Sequence, residues 1–126
     1  MRLKSIELCF RQKVIPVLWS PARQGELLSH ASCIFLQGGS LHDLEHTLAE
    51  FDDLQLSHLP LLVHIDLLAG LENNDAGLEF LAGFNRVSGI VTVHHHLVGQ
   101  ARKLGLLSVV RLFVSDSRAA DRGLTI

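Results

Sequence analysis

Five short, nearly continuous apolar runs constrain this chain more than any other feature. They are Val14–Leu18, Cys33–Leu36, Leu61–Asp66, Gly89–Val93 and Leu107–Phe113. Runs of this kind are typical of parallel strands that are covered on both faces. Helical segments separate them, and strands that alternate with helices indicate β/α units with right-handed crossovers. At 126 residues the chain is predicted to form one α/β domain over residues 1–126.

The segments between the runs have recognisable helix ends. Ser40 stands where an N-cap belongs, ahead of an apolar stripe that starts at Leu41. Asp75–Ala82 predicts a second helix, Gly105 is placed to end a third in the left-handed conformation, and Ser117–Ile126 predicts a fourth. Five such units fit either an open doubly wound sheet or part of a (β/α)8 barrel, and periodicity leaves both open.

Composition argues against membrane insertion and secretion. No apolar run reaches the length of a membrane span, and Met1–Phe10 lacks the apolar stretch of a signal peptide, so we expect a soluble, cytoplasmic protein. Cys9 and Cys33 show no CxxC spacing. We expect both to be free, buried thiols in a reducing compartment.

Charge is spread unevenly, although the net value is only −2. Residues 1–40 hold five Lys or Arg against two acids, and residues 100–126 hold the same numbers. Residues 41–80 hold nine acids and no Lys or Arg. The basic segments could contact nucleic-acid phosphates if the acidic middle faced away. Charge alone neither supports nor excludes RNA binding.

His64 and Asp66 form the most informative polar pair. They stand two residues apart at the end of the third run, so both side chains are predicted to project from one face of a strand. Ligands bind at this end of the strands in β/α proteins. The pair could contact a ligand or a metal, or it could hydrogen-bond within itself and to loop amides. Both readings stay open.

Arg111 falls within the fifth apolar run, where a guanidinium group is costly to bury unless it meets an anion. That anion could be Asp66, Asp116 or a bound phosphate group. Asp116 and Ser117 also fit a helix cap.

Two further patterns are weaker. Gln37 and Gly38 open a loop that leads into a helix, and its amides could bind an anion or simply form a tight turn. His94–His96 follow the fourth run, and His42 and His46 have helical spacing. We interpret these histidines as solvated and predict no metal site.

Several stretches, in order and spacing, resemble the glycerol uptake operon antiterminator family from about Val14 onward. The specific parts are H-x-D-L-x-x-G-L at His64–Leu71 and R-L-F-x-x-D-S at Arg111–Ser117. The resemblance implies a TIM-barrel-like fold, here about five parallel strands of an incomplete (β/α)8 barrel. It also implies a non-catalytic regulator that senses glycerol 3-phosphate and binds leader mRNA to prevent transcription termination, with no cofactor beyond the effector.

Carried over to this chain, the family pattern implies a ligand site. Its candidates are His64, Asp66, Arg111, Asp116 and Ser117, to which we add Gln37 and Gly38 from the loop. For RNA contact the candidates are Lys13, Arg102 and Lys103 in the basic segments.

The sequence departs from the family at Trp19, where an Arg is usual, and at Val93 with the histidine run that follows. The family also continues past the position of Ile126, so the chain is expected to be C-terminally short. Phosphate loops after strands seven and eight would then be missing, and we expect effector binding only at millimolar concentrations.

Two alternatives to the regulator remain open. One is a phosphosugar- or metal-dependent TIM-barrel enzyme that uses His64 and Asp66. The other is a degenerate, truncated relative with no activity. A partial barrel leaves sheet edges uncovered, so we expect the chain to form a homo-oligomer whichever function it has.

Overall fold

The structure, a computed structural model, describes residues 6–12, 15–18, 28, 30–56 and 58–112. Five strands form one parallel sheet: β1 (Val17–Leu18), β2 (Ile34–Leu36), β3 (Leu61–His64), β4 (Val87–Thr92) and β5 (Leu107–Val110). The prediction of five parallel strands is confirmed, with shorter bounds for four of the five.

Strand order decides between the two sheet types that the sequence left open. The strands lie in the order β1-β2-β3-β4-β5, so each strand pairs with the next one along the chain. A doubly wound sheet would reverse its order at a switch point. The sheet is therefore of the TIM-barrel type, as predicted, and it is not closed into a barrel.

Within the described ranges, three α-helices and four 3-10 segments are defined; the first 3-10 segment precedes β1, and the other elements lie between strands. The helices are α1 (Leu44–Asp53), α2 (Asp75–Ala82) and α3 (Val98–Lys103), and the 3-10 segments are Ile6–Phe10, Leu41–Asp43, Ile65–Leu67 and His95–Leu97. Ser40 Oγ accepts from the Asp43 amide at 3.3 Å, which confirms the predicted cap. Gly105 has a φ of +77°, as the left-handed helix end requires. No helix in the described part of the chain could cross a membrane.

Alternate strand residues point to opposite sides of the sheet, and apolar side chains pack together on each side. Ile34, Leu36 and Val63 belong to the layer between the sheet and the helices. On the other face, which we call the inner face, Cys33, Phe35, Leu62, Val91 and Val109 pack with Cys9 from the first 3-10 turn. Both cysteines are free and buried, as predicted.

Strands β4 and β5 approach each other closely at Gly89. A Cβ atom at this position would lie 2.4 Å from the Leu107 carbonyl oxygen and 2.7 Å from its Cβ. Glycine is thus required for β5 to pair where it does.

Candidate ligand-binding site

The inner face opens at the carboxyl ends of the strands into a cavity of about 330 Å³. Every strand contributes, since the lining residues occupy inward positions on or just after successive strands. They are Val17, Phe35, Gln37, His64, Val91, Val109 and Arg111. The hydrocarbon side chains form the floor, and three polar side chains converge on it. A concave apolar surface with a few convergent polar groups is the usual form of a small-molecule site.

His64 is the most unusual of the three polar residues. Its side chain is only 5% exposed, yet neither Nδ1 nor Nε2 has a hydrogen-bond partner among the described residues. Burial lowers the pKa of His64; the Asp66 carboxylate opposes that shift and the Arg111 charge adds to it. The neutral imidazole offers one donor and one acceptor. Unpartnered buried polar groups are rare, so this ring is suited to a polar ligand.

Asp66 has a different role from the one its spacing predicts. The third strand ends at His64, and Asp66 lies in the 3-10 turn that follows, so the prediction of two side chains on one face of a strand is wrong. Its carboxylate accepts from Thr92 Oγ1 at 2.8 Å, from the Val93 amide at 2.7 Å and from Asn73 Nδ2 at 3.4 Å. Asp66 therefore ties the end of β3 to the end of β4.

His64 and Asp66 are close without forming a hydrogen bond. The distance from His64 Nδ1 to Asp66 Oδ2 is 3.9 Å, beyond the range of a hydrogen bond. The sequence left open whether the pair faces a ligand or forms internal hydrogen bonds. In the structure Asp66 forms internal hydrogen bonds, and His64 lines the cavity.

Arg111 lies at the rim of the cavity and not within a strand. Strand β5 ends at Val110, and Arg111 is exposed, so the prediction of a guanidinium inside the strand is wrong. Its amide donates to the Thr92 carbonyl oxygen at 2.8 Å, which fixes the backbone beside the end of β4. Asp116 and Ser117 lie outside the described residues, as does Lys13.

The loop after β2 contributes one side chain rather than a row of amides. Gln37 lines the cavity, while Gly38 is buried and is not among the lining residues. Ala69 donates to the Gly39 carbonyl oxygen at 3.0 Å, and Leu41 donates to the Ala69 carbonyl oxygen at 2.7 Å. The loop is thus held against the turn after β3, which favours the tight-turn reading over an anion-binding nest.

The remaining histidines stay apart from this cavity. His95 and His96 are exposed, and His46 Nε2 lies 3.0 Å from Glu50 Oε1 on the surface of α1. Among the described residues no three His, Cys, Asp or Glu side chains converge as a metal site would require. Arg102 and Lys103 are exposed in the last turn of α3.

Comparison with known proteins decides the family. The profile of the family described as glycerol-3-phosphate responsive antiterminator matches residues 14–126. The chain belongs to this family. A structure of a glycerol uptake operon antiterminator-related protein from Thermotoga maritima MSB8 superimposes with a TM-score of 0.73 at 24% identity, covering 88% of this chain and 61% of that one. These values support a common fold.

Two further proteins are similar to this chain. The glycerol uptake operon antiterminator regulatory protein of Listeria monocytogenes str. 4b F2365 gives a TM-score of 0.68 at 21% identity, over 99% of this chain and 64% of that one. The uncharacterized protein YgcP of Escherichia coli (strain K12) is 33% identical over 55 residues, 44% of this chain and 29% of its own. The chain spans less than two thirds of each of these three proteins.

Sequence reasoning missed two groups of residues at this site. The floor residues Val17, Phe35, Val91 and Val109 could have been found, because they occupy alternate strand positions that face the same side of the sheet as His64. The Thr92 and Val93 donors that hold Asp66 could not, because they come from a different β/α unit and no local pattern links them to Asp66.

Proposed function

We propose that this chain takes part in regulating glycerol uptake in the cytoplasm, with glycerol 3-phosphate bound in the inner-face cavity and leader mRNA bound elsewhere on the surface. The observation that carries the effector proposal is the His64 ring, buried in the cavity with both nitrogens unpartnered among the described residues. The family description supplies the chemical identity of the effector.

Glycerol 3-phosphate combines a dianionic group with a short chain of hydroxyl groups, and the cavity offers a counterpart to each part. The Arg111 guanidinium at the rim suits phosphate oxygens, since its planar fork binds two of them at once. The neutral His64 ring and the Gln37 amide can exchange hydrogen bonds with hydroxyl groups. The apolar floor accommodates the carbon chain.

The site favours binding over catalysis. An enzyme built on His64 and Asp66 would need a carboxylate that can orient the ring or accept a proton. The Asp66 carboxylate instead accepts three hydrogen bonds from other groups and lies 3.9 Å from the ring nitrogen. Asp66 therefore serves as a positioning residue that fixes the turn on which the cavity depends.

RNA binding is the second part of the proposal. Antitermination acts on a nascent transcript, and the exposed Arg102 and Lys103 provide cationic contacts for its phosphates. Such contacts release counterions, so the affinity should fall steeply as salt rises.

Titration with glycerol 3-phosphate, followed by ligand-observed NMR and by thermal shift, tests the effector site. We expect a dissociation constant on the order of 1 mM for the wild type, about −4 kcal/mol. Arg111→Ala removes a charge-assisted contact worth about 1.5–3 kcal/mol and should weaken binding at least tenfold. Arg86→Ala is the matched control, because this arginine pairs with Asp52 at 3.0 Å, away from the cavity.

Glycerol without its phosphate provides the second control. It should bind more weakly to the wild type, and Arg111→Ala should not change its affinity further. Glycerol 3-phosphate binding of equal strength in wild type and Arg111→Ala would contradict the proposed site.

A further inference from the structure

A second cavity, of about 500 Å³, lies at the opposite end of the strands. Its polar lining comes from three segments that precede β1, β2 and β3, and these residues are Arg11, Gln12, His30, Ser32 and His58. We call this end of the sheet the amino edge. The proposed function makes no use of this cavity.

Hydrogen bonds hold the three segments together. Ser32 Oγ donates to the Cys9 carbonyl oxygen at 2.6 Å and accepts from the Gln12 amide at 3.3 Å. The Ile34 amide donates to the Pro60 carbonyl oxygen at 2.9 Å, which joins the starts of β2 and β3. The cavity walls are thus part of the folded backbone and not a chance gap between side chains.

The described lining of this cavity contains basic residues and no acidic ones. Arg11 is a permanent cation, the His30 and His58 rings can donate to an anion, and all three residues are exposed. None of the described residues that line it is acidic. At the same edge, Asp52 at the end of α1 is paired with Arg86 at 3.0 Å. An anion in the cavity could therefore accept hydrogen bonds from these side chains, and no carboxylate in the described lining would repel it.

Two more basic residues, Arg102 and Lys103, lie at the same edge of the sheet. Helix α3 runs from the carboxyl end of β4 to the amino end of β5, so Arg102 and Lys103 in its last turn lie at the amino edge. Neighbouring strands are about 4.8 Å apart, which puts the start of β5 roughly 10 Å from the start of β3. A row of spaced cations along an edge suits a chain of phosphates better than it suits one small anion.

We propose that the amino edge is the RNA-contacting surface and that its cavity holds one backbone phosphate through Arg11, His30 and His58. This inference rests on the proposed RNA role and adds its location. The phosphate contacts position the RNA without reading its sequence. Effector and RNA would then occupy opposite ends of the same strands, so that neither blocks the other.

Fluorescence anisotropy with a labelled single-stranded RNA of mixed sequence, titrated at several salt concentrations with glycerol 3-phosphate present, tests the location. Arg11→Ala should weaken binding at least fivefold at low salt. It should also reduce the slope of log K against log salt by about 0.7, the value for one contact to a single strand. Arg86→Ala removes the same charge at the same edge, but from a group already paired with Asp52, and should leave both quantities unchanged.

Melting curves from circular dichroism establish that the variants fold. As a second measurement on the unaltered protein, the imidazole NMR signals of His30 and His58 should shift when RNA is added. Wild-type protein that binds RNA, with Arg11→Ala indistinguishable from it and imidazole signals unmoved, would overturn the location while leaving the RNA role intact. Wild-type protein that binds no RNA at any salt would overturn both.

Discussion

Replacement of His64 by leucine should make the protein more stable and abolish effector binding. The ring is 5% exposed, and neither nitrogen has a partner among the described residues. Burying an unpartnered polar group costs about 1–3 kcal/mol in protein mutational series. Leucine has a similar size and no polar atom. We take the lower part of that range, because one side of the ring borders the cavity, and expect the free energy of unfolding to rise by about 1–2 kcal/mol.

Thr92→Val is the matched control. It also replaces a buried polar side chain by an apolar one of similar size, but the polar group that it removes has a hydrogen-bond partner. Thr92 is fully buried and donates to the Asp66 carboxylate at 2.8 Å, so its loss should lower the free energy of unfolding by about 1.5–3 kcal/mol. Urea denaturation at neutral pH measures both changes, and they should have opposite signs. If His64→Leu lowers stability as much as Thr92→Val does, the imidazole is partnered and the argument for a ligand-facing ring is refuted.

Two further predictions concern pH and packing. Because the pKa of His64 in the folded state is lowered from 6.5, the unfolded chain binds more protons than the folded chain below that pH, so the free energy of unfolding should be highest above pH 6.5 and decline as the pH falls toward the native pKa. Urea denaturation at several pH values in this range should show a smaller decline for His64→Leu than for the wild type. An equal decline in both proteins would contradict the lowered pKa. Gly89→Ala should lower the free energy of unfolding by about 2–3 kcal/mol, since its methyl group would overlap the Leu107 carbonyl. In the same urea assay Gly99→Ala, in the open on α3, should instead raise stability by about 0.5–1 kcal/mol, and similar losses in both variants would argue against the close approach of β4 and β5.

The fold could be predicted from the sequence to the level of its elements. Apolar runs and helix caps have local causes, so the strands, α2 and the Ser40 cap were all visible in the sequence. The order of strands was not visible, because alternation of strand and helix is the same in a doubly wound sheet and in a barrel. That choice depends on which strands pair, and the family resemblance supplied it.

The sequence was sufficient to predict several residues of the candidate site, but not the position and contacts of each one. Apolar residues continue from Leu61 to Leu68 on both sides of His64 and Asp66, so nothing in the pattern marks the change from strand to 3-10 turn after His64. That change takes Asp66 out of the strand and into contact with the end of β4. Arg111 was similarly placed inside a strand because its neighbours are apolar, although the strand ends one residue before it.

Strand order has a consequence for how the chain acquires its structure. Each strand pairs with one that follows between 18 and 27 residues later, and none of the described pairings joins distant parts of the chain. Each of these pairings closes a shorter loop than a pairing of the first strand with the last would, and so it costs less loop-closure entropy. During synthesis each new strand can dock on the strand made just before it, so the sheet can grow in the direction of translation. Among the described strands the first does not pair with the last, which is the pairing that closes a barrel.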